Sequence, residues 1–549
     1  MVALRARRRD ALTMLVQELH TRLFLVLGLI LGSCASSSQL SPVSPVSAPP
    51  TASVQRPNII FIYSDDHAAA AVGAYGSSAA RTPNLDRLAA EGLLFENAFC
   101  TNALCAPARA VVLTGKHSHR NGLMDNGDRF DGAQWTFPKA LGEAGYQTAL
   151  LGKWHLKSEP TGFDHWEVLP GQGHYYGPEF KTPQGLTRHE GYNTDVVMDR
   201  TLAWLDGKRD PKRPFMVMCQ FKAPHRTWMP GPDHLSLYDG VLIPEPTTLF
   251  DDWASRATPA HAQEMTIADH LWLAYDLKVP LQAGVEATGP DKWAEGLLGR
   301  MSAEQRIAWE AAYGPRNRAF RNWDLSGRAL VQWKYQRYIK DYLRCIASID
   351  DNIGRLLDWL DEEGLADNTV VIYTSDQGFF LGEHGWYDKR FMYEPSLRFP
   401  LIVRWPAATE GNDTGDARDA RDTRGTRETR LVQNLDFAAT MLDLAGLAAR
   451  QDLDGVSLLP LLRGAEPKAW RASIYYEYFE EGIHNVPPHY GVRTQRWKLI
   501  HYPKSDEWEL FDLALDPEEV DNLAGQPEHH ERERQLGDEL ARLRRACGR

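Results

Sequence analysis

Two short acidic segments set the first chemical constraint. Asp65-Asp66 and Asp376-Gln377 each stand just past an apolar run, N-I-I-F-I-Y over 58–63 and V-V-I-Y-T over 370–374. Brought together, three carboxylates and one amide oxygen make a hard, oxygen-only ligand set. Such a set suits Ca²⁺ or Mg²⁺ better than Zn²⁺, which favours nitrogen and sulfur. Asp after a strand is also a turn former, so either segment alone carries little. In Cys105-Ala106-Pro107-Ala108-Arg109 the proline suits a first helical turn. Cys105 then lies at a helix amino end, where backbone N–H groups favour an anion, and Arg109 follows on the same face one turn later. The plainer reading is a buried cysteine beside a capped helix. Lys153 and His155 stand two apart in an expected strand, where alternation puts both on one face. His225 follows another apolar run in Lys222-Ala223-Pro224-His225, and Lys389 comes thirteen residues after Asp376. Singly these are surface charges or core histidines. Together they line one cleft with cations, as an oxyanion substrate requires.

The elements that would position these groups alternate along the chain. Buried strands are expected at 58–63, 148–155, 215–221 and 370–374, and helices at 82–98, 137–144 and 335–360. Strands alternating with helices argue for an α/β fold, a large mixed, mostly parallel sheet flanked by helices. Ligands of such sheets sit beyond the carboxyl ends of the strands, where the polar residues fall. Alternation over 490–502, followed by 508–513, predicts a smaller C-terminal antiparallel sheet. The expected organisation is a signal peptide over 1–33, a Ser/Pro-rich tether over 34–56, a catalytic domain over 57–470 and a C-terminal subdomain over 471–549. Insertions are expected near 231–333, rich in Trp, Pro and Ala, and 408–430, a charged low-complexity loop.

The chain has 549 residues, 43% hydrophobic and 24% charged, which excludes a disordered or fibrous class. A net charge of −12 makes nucleic acid an unsuitable partner. Six cysteines make no disulfide framework in so long a chain. At the amino end, Arg5, Arg7, Arg8 and Arg9 precede an apolar run, Leu23 to Leu31, that fits a signal-peptide core. Leu31-Gly32-Ser33-Cys34 resembles a bacterial lipobox, with Cys34 the lipidated residue. The protein is therefore expected to be exported and held on a bacterial membrane through a lipid anchor alone.

These segments resemble the formylglycine-dependent sulfatases of the alkaline-phosphatase-like superfamily. The resemblance rests on C-A-P-A-R with its following T-G, on G-K-W-H at 152–155, on S-D-Q-G at 375–378, and on R-T-Q-R-W-K-L-I with E-L-F-D-L in the tail. It implies that a separate maturation enzyme oxidises Cys105 to formylglycine. One oxygen of the hydrated aldehyde attacks sulfur, and the second drives sulfate release. Asp65, Asp66, Asp376, Gln377 and the modified Cys105 match calcium ligands. Arg109 and Lys153 match cations that hold the nucleophile and sulfate, His155 its hydrogen-bond partner and base, and His225 and Lys389 the leaving-oxygen side. Gln377 departs from the Asn common in the family but keeps an amide oxygen. The segments K-A-P-H-R-T-W (222–228), G-F-F-L-G-E-H-G-W-Y-D-K-R (378–390) and M-Y-E-P-S-L-R (392–398) look like the N-acetylglucosamine-6-sulfatase branch. The implied substrate is a sulfated glycan, 6-O-sulfated N-acetylglucosamine, with His489 as a sugar contact. The alternatives are a phosphatase or phosphonate hydrolase of the same superfamily, and a non-catalytic glycan-binding lipoprotein.

Overall fold

A computed structural model describes residues 56–408 and 422–549. Cys34, the signal peptide and nearly all of the tether lie outside the described residues. Strand β1 (Asn58–Ser64) reads N-I-I-F-I-Y-S and is buried throughout. Its apolar side chains do not alternate with polar ones because both faces of a parallel sheet are covered. The main sheet also contains β2 (Leu93–Phe95), β3 (Gln147–Lys153), β4 (His165–Leu169), β5 (Glu179–Thr182), β6 (Gly185–Arg188), β7 (Phe215–Gln220), β8 (Thr369–Ser375), β9 (Leu401–Arg404) and β10 (Thr426–Glu428). The strand order is β10-β2-β9-β8-β1-β7-β3-β4-β5-β6. Its central strands, β8, β1, β7, β3 and β4, are all parallel.

Register explains why the polar residues meet. Ser64 pairs with Ser375, and Tyr63 with both Thr374 and Gln220. Gly152 pairs with Gln220 from the other side. Asp65, Asp376 and Lys153 therefore leave the sheet at one level, Asp376 from the strand beside β1 and Lys153 from the strand two away on its other side. Helices cover the sheet in two groups. The long helix Gly327–Glu362 packs with Pro83–Ala90 and Asn193–Gly207, and Asp436–Leu444 packs with Cys105–Thr114 and Phe137–Glu143. Phe61 and Tyr63 face the second group, Phe61 against Phe437 at 5.2 Å and Tyr63 beneath the Arg109 guanidinium at 4.8 Å.

Several expectations are corrected. The helix expected over 82–98 stops at Ala90, and Leu93–Phe95 becomes a strand against β9. Gly92 marks the change, since a Cβ there would collide with the Val403 carbonyl. The strand expected to reach His155 ends at Lys153, and His155 turns away with φ 58°. Alternation along a strand therefore does not relate these two residues. Residues 231–333 contain short helical turns and one 20-residue helix, Ala303–Asn322, started by a Ser302/Gln305 capping box. Within 408–430, residues 409–421 lie outside the description, but Thr426–Glu428 forms the edge strand β10.

The four-stranded C-terminal sheet is antiparallel, with β11 (Ser473–Tyr478), β12 (His489–Thr494), β13 (Trp497–Tyr502) and β14 (Glu507–Asp512) in chain order. Helix His530–Ala546 packs on it through Leu536 and Leu540. Residues 55–549 form one compact unit. The C-terminal sheet is bonded into that unit at several points. Glu477 N–H donates to the Thr101 carbonyl at 3.0 Å, and Tyr393 Oη donates to Glu509 at 2.9 Å. Tyr476 Oη receives the Ala103 N–H at 3.2 Å and donates to the Arg390 carbonyl. No helix among the described residues is long and apolar enough to cross a membrane.

Candidate active site

Cys105 opens helix Cys105–Thr114, with Leu104 as an extended N-cap and Pro107 in the first turn. The thiol is buried against the carboxylates. Sγ lies 3.9 Å from Asp66 Oδ1, 3.5 Å from Lys389 Nζ and 4.0 Å from Gln377 Nε2. Arg109, one turn on, donates to Asp376 at 3.1 Å and to the Lys153 carbonyl at 3.0 Å, and its other partner is Gln220. Lys153 pairs with Asp65 and also donates to Gln172. Lys389 Nζ spans both oxygens of Asp66, at 2.6 and 2.7 Å, and His225 Nε2 lies 3.7 Å from the same carboxylate. The expected constellation, Asp65, Asp66, Cys105, Arg109, Lys153, His225, Asp376, Gln377 and Lys389, is thus joined by direct contacts. His155 belongs to it electrostatically, through Lys153, Asp65 and Arg109.

The acidic groups fit a divalent cation. Ligand atoms of Asp65, Asp66 and Asp376 lie within 4.8 Å of one another, and so do those of Asp65, Cys105 and His225. Two buried oxygens in this group, Asp65 Oδ1 and Gln377 Oε1, accept no hydrogen bond. Buried acceptors are rarely left unmet in proteins. The oxygen-only set Asp65, Asp66, Asp376 and Gln377 would hold a hard cation. Burial, with Asp65 beside it, pushes the Asp376 carboxyl up, and burial also raises Asp66. Asp65 moves the other way. Burial would raise it, but Lys153, His225 and Arg109 hold it well below the usual carboxylate range. Crowded carboxylates with raised proton affinity are what a dication relieves.

The remaining groups have defined protonation. Burial, then Asp65, pushes the Cys105 thiol well above its ordinary value, so as a thiol it is not an activated nucleophile. Burial, then Lys153, holds His155 well below the usual histidine range, and its Nδ1 is buried without a partner. Burial also keeps His225 neutral, despite the pull of Asp65. Burial would lower Lys389, but Asp66 holds it well above the usual lysine range, so it remains an ammonium. The site thus contains two neutral imidazoles, His155 with an unpartnered ring nitrogen, and a fixed ammonium 3.5 Å from Cys105 Sγ.

Left-handed backbone recurs at the site. Asp66, His155, Asp388 and Arg390 have φ of 67°, 58°, 76° and 102°, conformations that persist only where surrounding contacts enforce them. Gly152 and Gly378 are required by space. A Cβ at the first would collide with the Gln220 carbonyl, and at the second with the carbonyls of Pro395 and Arg398.

His489, expected to touch sugar, is a core residue. It is 1% exposed, ringed by Phe391, Tyr476, Tyr478 and Tyr502, with Nδ1 2.9 Å from the Pro487 carbonyl. His484, by contrast, pairs with the acidic neighbour of Lys389, 3.0 Å from Asp388. Sequence reasoning quoted Asp388 and Arg390 without a role. They form an ion pair at 3.2 Å flanking Lys389, and Arg390 also faces Glu480 at 3.6 Å. Gln220 and Gln172, which hold Arg109 and Lys153, were not singled out. Their only signal was position, at a strand end and in a Gly-rich loop.

Comparison with known proteins places this geometry. Residues 57–447 match the sulfatase family, and residues 382–546 match the C-terminal region of N-sulphoglucosamine sulphohydrolase. The N-acetylglucosamine-6-O-sulfatase of Bacteroides thetaiotaomicron is 43% identical over 534 residues, covering 96% of this chain and 91% of that protein. The human N-acetylglucosamine-6-sulfatase is 26% identical, over 86% of this chain and 82% of its own length. The solved structure of BT4656 in complex with its substrate D-glucosamine-2-N,6-O-disulfate superposes with a TM-score of 0.84 at 44% identity, over 90% of this chain and 98% of that one. The phosphonate monoester hydrolase of Agrobacterium radiobacter shares the fold, with a TM-score of 0.62 at 22% identity over 90% of this chain and 96% of its own. With its buried cysteine, carboxylates and cations gathered at the carboxyl ends of the central strands and this extent of similarity, the chain belongs to the sulfatase family and is a sulfuric ester hydrolase.

Proposed function

We propose that the protein hydrolyses the 6-O-sulfate ester of N-acetylglucosamine in glycans, using Ca²⁺ and a formylglycine made from Cys105 by a separate maturation enzyme. The observation that carries the substrate is the 43% identity, across 96% of the chain, to a protein named for that activity. Formylglycine supplies an oxygen nucleophile as its hydrate, and the cation supplies Lewis acidity toward the sulfate oxygens. Asp65, Asp66, Asp376 and Gln377 would hold the cation. Arg109 and Lys153, each tied to a carboxylate, fix the nucleophile and the sulfate in place. Neutral His155 accepts the proton released at the nucleophile. Lys389 and His225 stand on the side of the departing sugar oxygen, and Lys389, an ammonium beside neutral His225, is the one that holds a proton to deliver. Both metal-capable groups among the described residues share Asp65. That speaks for a single cation and against the two-metal site of a phosphatase.

The test compares sulfate release from N-acetylglucosamine 6-sulfate with phosphate release from the 6-phosphate, using protein co-expressed with a maturation enzyme. The expected result is sulfate release, lost in Cys105→Ala, with a formylglycine mass in the tryptic peptide 88–109. Preferred hydrolysis of the phosphate would overturn the reading. We also propose that the chain is exported and anchored by a lipid on Cys34 to a bacterial membrane, on the periplasmic or cell-surface side. Cys34→Ala should then move the protein from the membrane fraction to the soluble one, and an unchanged distribution counts against the anchor.

A further inference from the structure

Lys222 belongs to neither the ligand set nor the ion pairs described above. It is 4% exposed. Among the described residues its one direct partner is the Tyr175 ring, whose centre lies 4.9 Å from Nζ. A buried ammonium that no carboxylate bonds directly, with Asp65 and Asp66 acting on it only at a distance, is unfavourable unless an anion arrives beside it.

Its place in the sheet indicates which anion. Phe221 N–H donates to the Tyr63 carbonyl at 2.8 Å, and Asp65 N–H donates to the Ala223 carbonyl at 3.2 Å. Lys222 therefore lies between two backbone bonds that fasten it beside Asp65, at the carboxyl end of β7. Gln220, two residues earlier, holds Arg109. Tyr175, beneath the ammonium, donates its hydroxyl to the His225 carbonyl at 2.6 Å. Gln172, from the same loop as Tyr175, binds Lys153. Gln220, Tyr175 and Gln172 thus tie the surroundings of Lys222 to Arg109, the His225 backbone and Lys153.

We propose that Lys222 is a further sulfate-binding residue, its ammonium donating to a non-bridging oxygen of the substrate's transferred sulfate and of the sulfate product. This rests on the sulfatase reading above and adds a residue to the site. Burial, then Lys153, brings the Lys222 ammonium down to about 8. A sulfate oxygen beside it would raise it again and hold the charge. The assignment predicts that Lys222 acts on affinity for sulfate more than on the chemical step.

The test uses the mature enzyme with N-acetylglucosamine 6-sulfate as substrate and inorganic sulfate as competitive inhibitor, with calorimetric titration of sulfate alongside. Lys222→Met keeps the aliphatic stem and removes the charge. Loss of one charge-assisted hydrogen bond should raise KM and the inhibition constant for sulfate by about tenfold or more. Lys222→Arg should recover part of that loss. The same sulfate constant in wild type and Lys222→Met would overturn the proposal, even if kcat or melting temperature fell. Lys222 would then only support the Tyr175 loop. Turnover by wild type with an unaltered Lys222→Met sinks the Lys222 assignment alone. A wild type that neither hydrolyses nor binds sulfate sinks it together with the sulfatase reading.

Discussion

At Cys105, the burial that assembles the site also silences the thiol. With its sulfur at 1% exposure and its proton affinity raised by burial and Asp65, the unconverted chain should release no sulfate at any pH that leaves it folded. Comparing preparations made with and without a maturation enzyme checks this, with peptide mass as the conversion readout. Gly152 offers a second residue-level prediction. Its φ of 104° and the Gln220 carbonyl at its α-carbon leave no room for a side chain. Gly152→Ala should destabilise the protein by about 1–3 kcal/mol and lower activity by shifting Lys153, read by denaturant titration and sulfate release. Asp65, Asp66 and Asp376 were legible as one cluster because two acidic turns end two buried strands, and Cys105 and Arg109 because the proline between them opens a helix, although each feature alone is an ordinary turn or cap. Lys222 was not, since nothing in a sequence tells whether a buried lysine has a partner. His489 misled for the opposite reason. A histidine beside Gly-Val-Arg looks exposed until four aromatic rings are found around it.

Among the elements, the short parallel strands carry the site because their ends share a level. The same strands were the most legible part of the fold, since burial on both faces writes an uninterrupted apolar run. The stretch 82–98 was misread because its leucines satisfy a helix and a strand equally, and only contact with β9 decides. Residues 231–333 read as an insertion, yet they brace the site. Asp276 takes both ends of the Arg226 guanidinium, at 2.7 and 2.6 Å. Lys278 donates to the Thr227 carbonyl. Asp276→Ala leaves a half-buried guanidinium without its carboxylate and should cost about 1.5–3 kcal/mol, with His225 next in the chain to be disturbed. Equilibrium unfolding measures the first effect, and kcat on a poor leaving group the second.

For the whole molecule, the C-terminal sheet is fastened to the catalytic body by a buried charge cluster. Lys498 lies between Glu394 at 2.9 Å and Glu519, and Arg493 faces Glu394 at 3.2 Å. Burial pushes the Glu519 carboxyl up to about 7, with Lys498 opposing the rise and Glu394 adding to it. The folded state therefore binds a proton that the unfolded chain has already lost. This contribution is complete below the unfolded value, near 4.5, and disappears as pH rises through 7. The melting temperature of wild type should fall more steeply between about pH 5 and 8 than that of Glu519→Gln, and equal slopes would contradict the assignment. The sheet itself was legible from its alternation, whereas its attachment was not, because the bonds join residues more than a hundred positions apart in places. One of those attachments bears on how the protein is made. Tyr476 ties the segment before Cys105 to the segment after Lys389. A chain leaves the ribosome amino end first, so every reactive side chain is synthesised before the strand that locks them together. The pocket can close only near the end of translation, and until then Cys105 would remain within reach of the maturation enzyme proposed above.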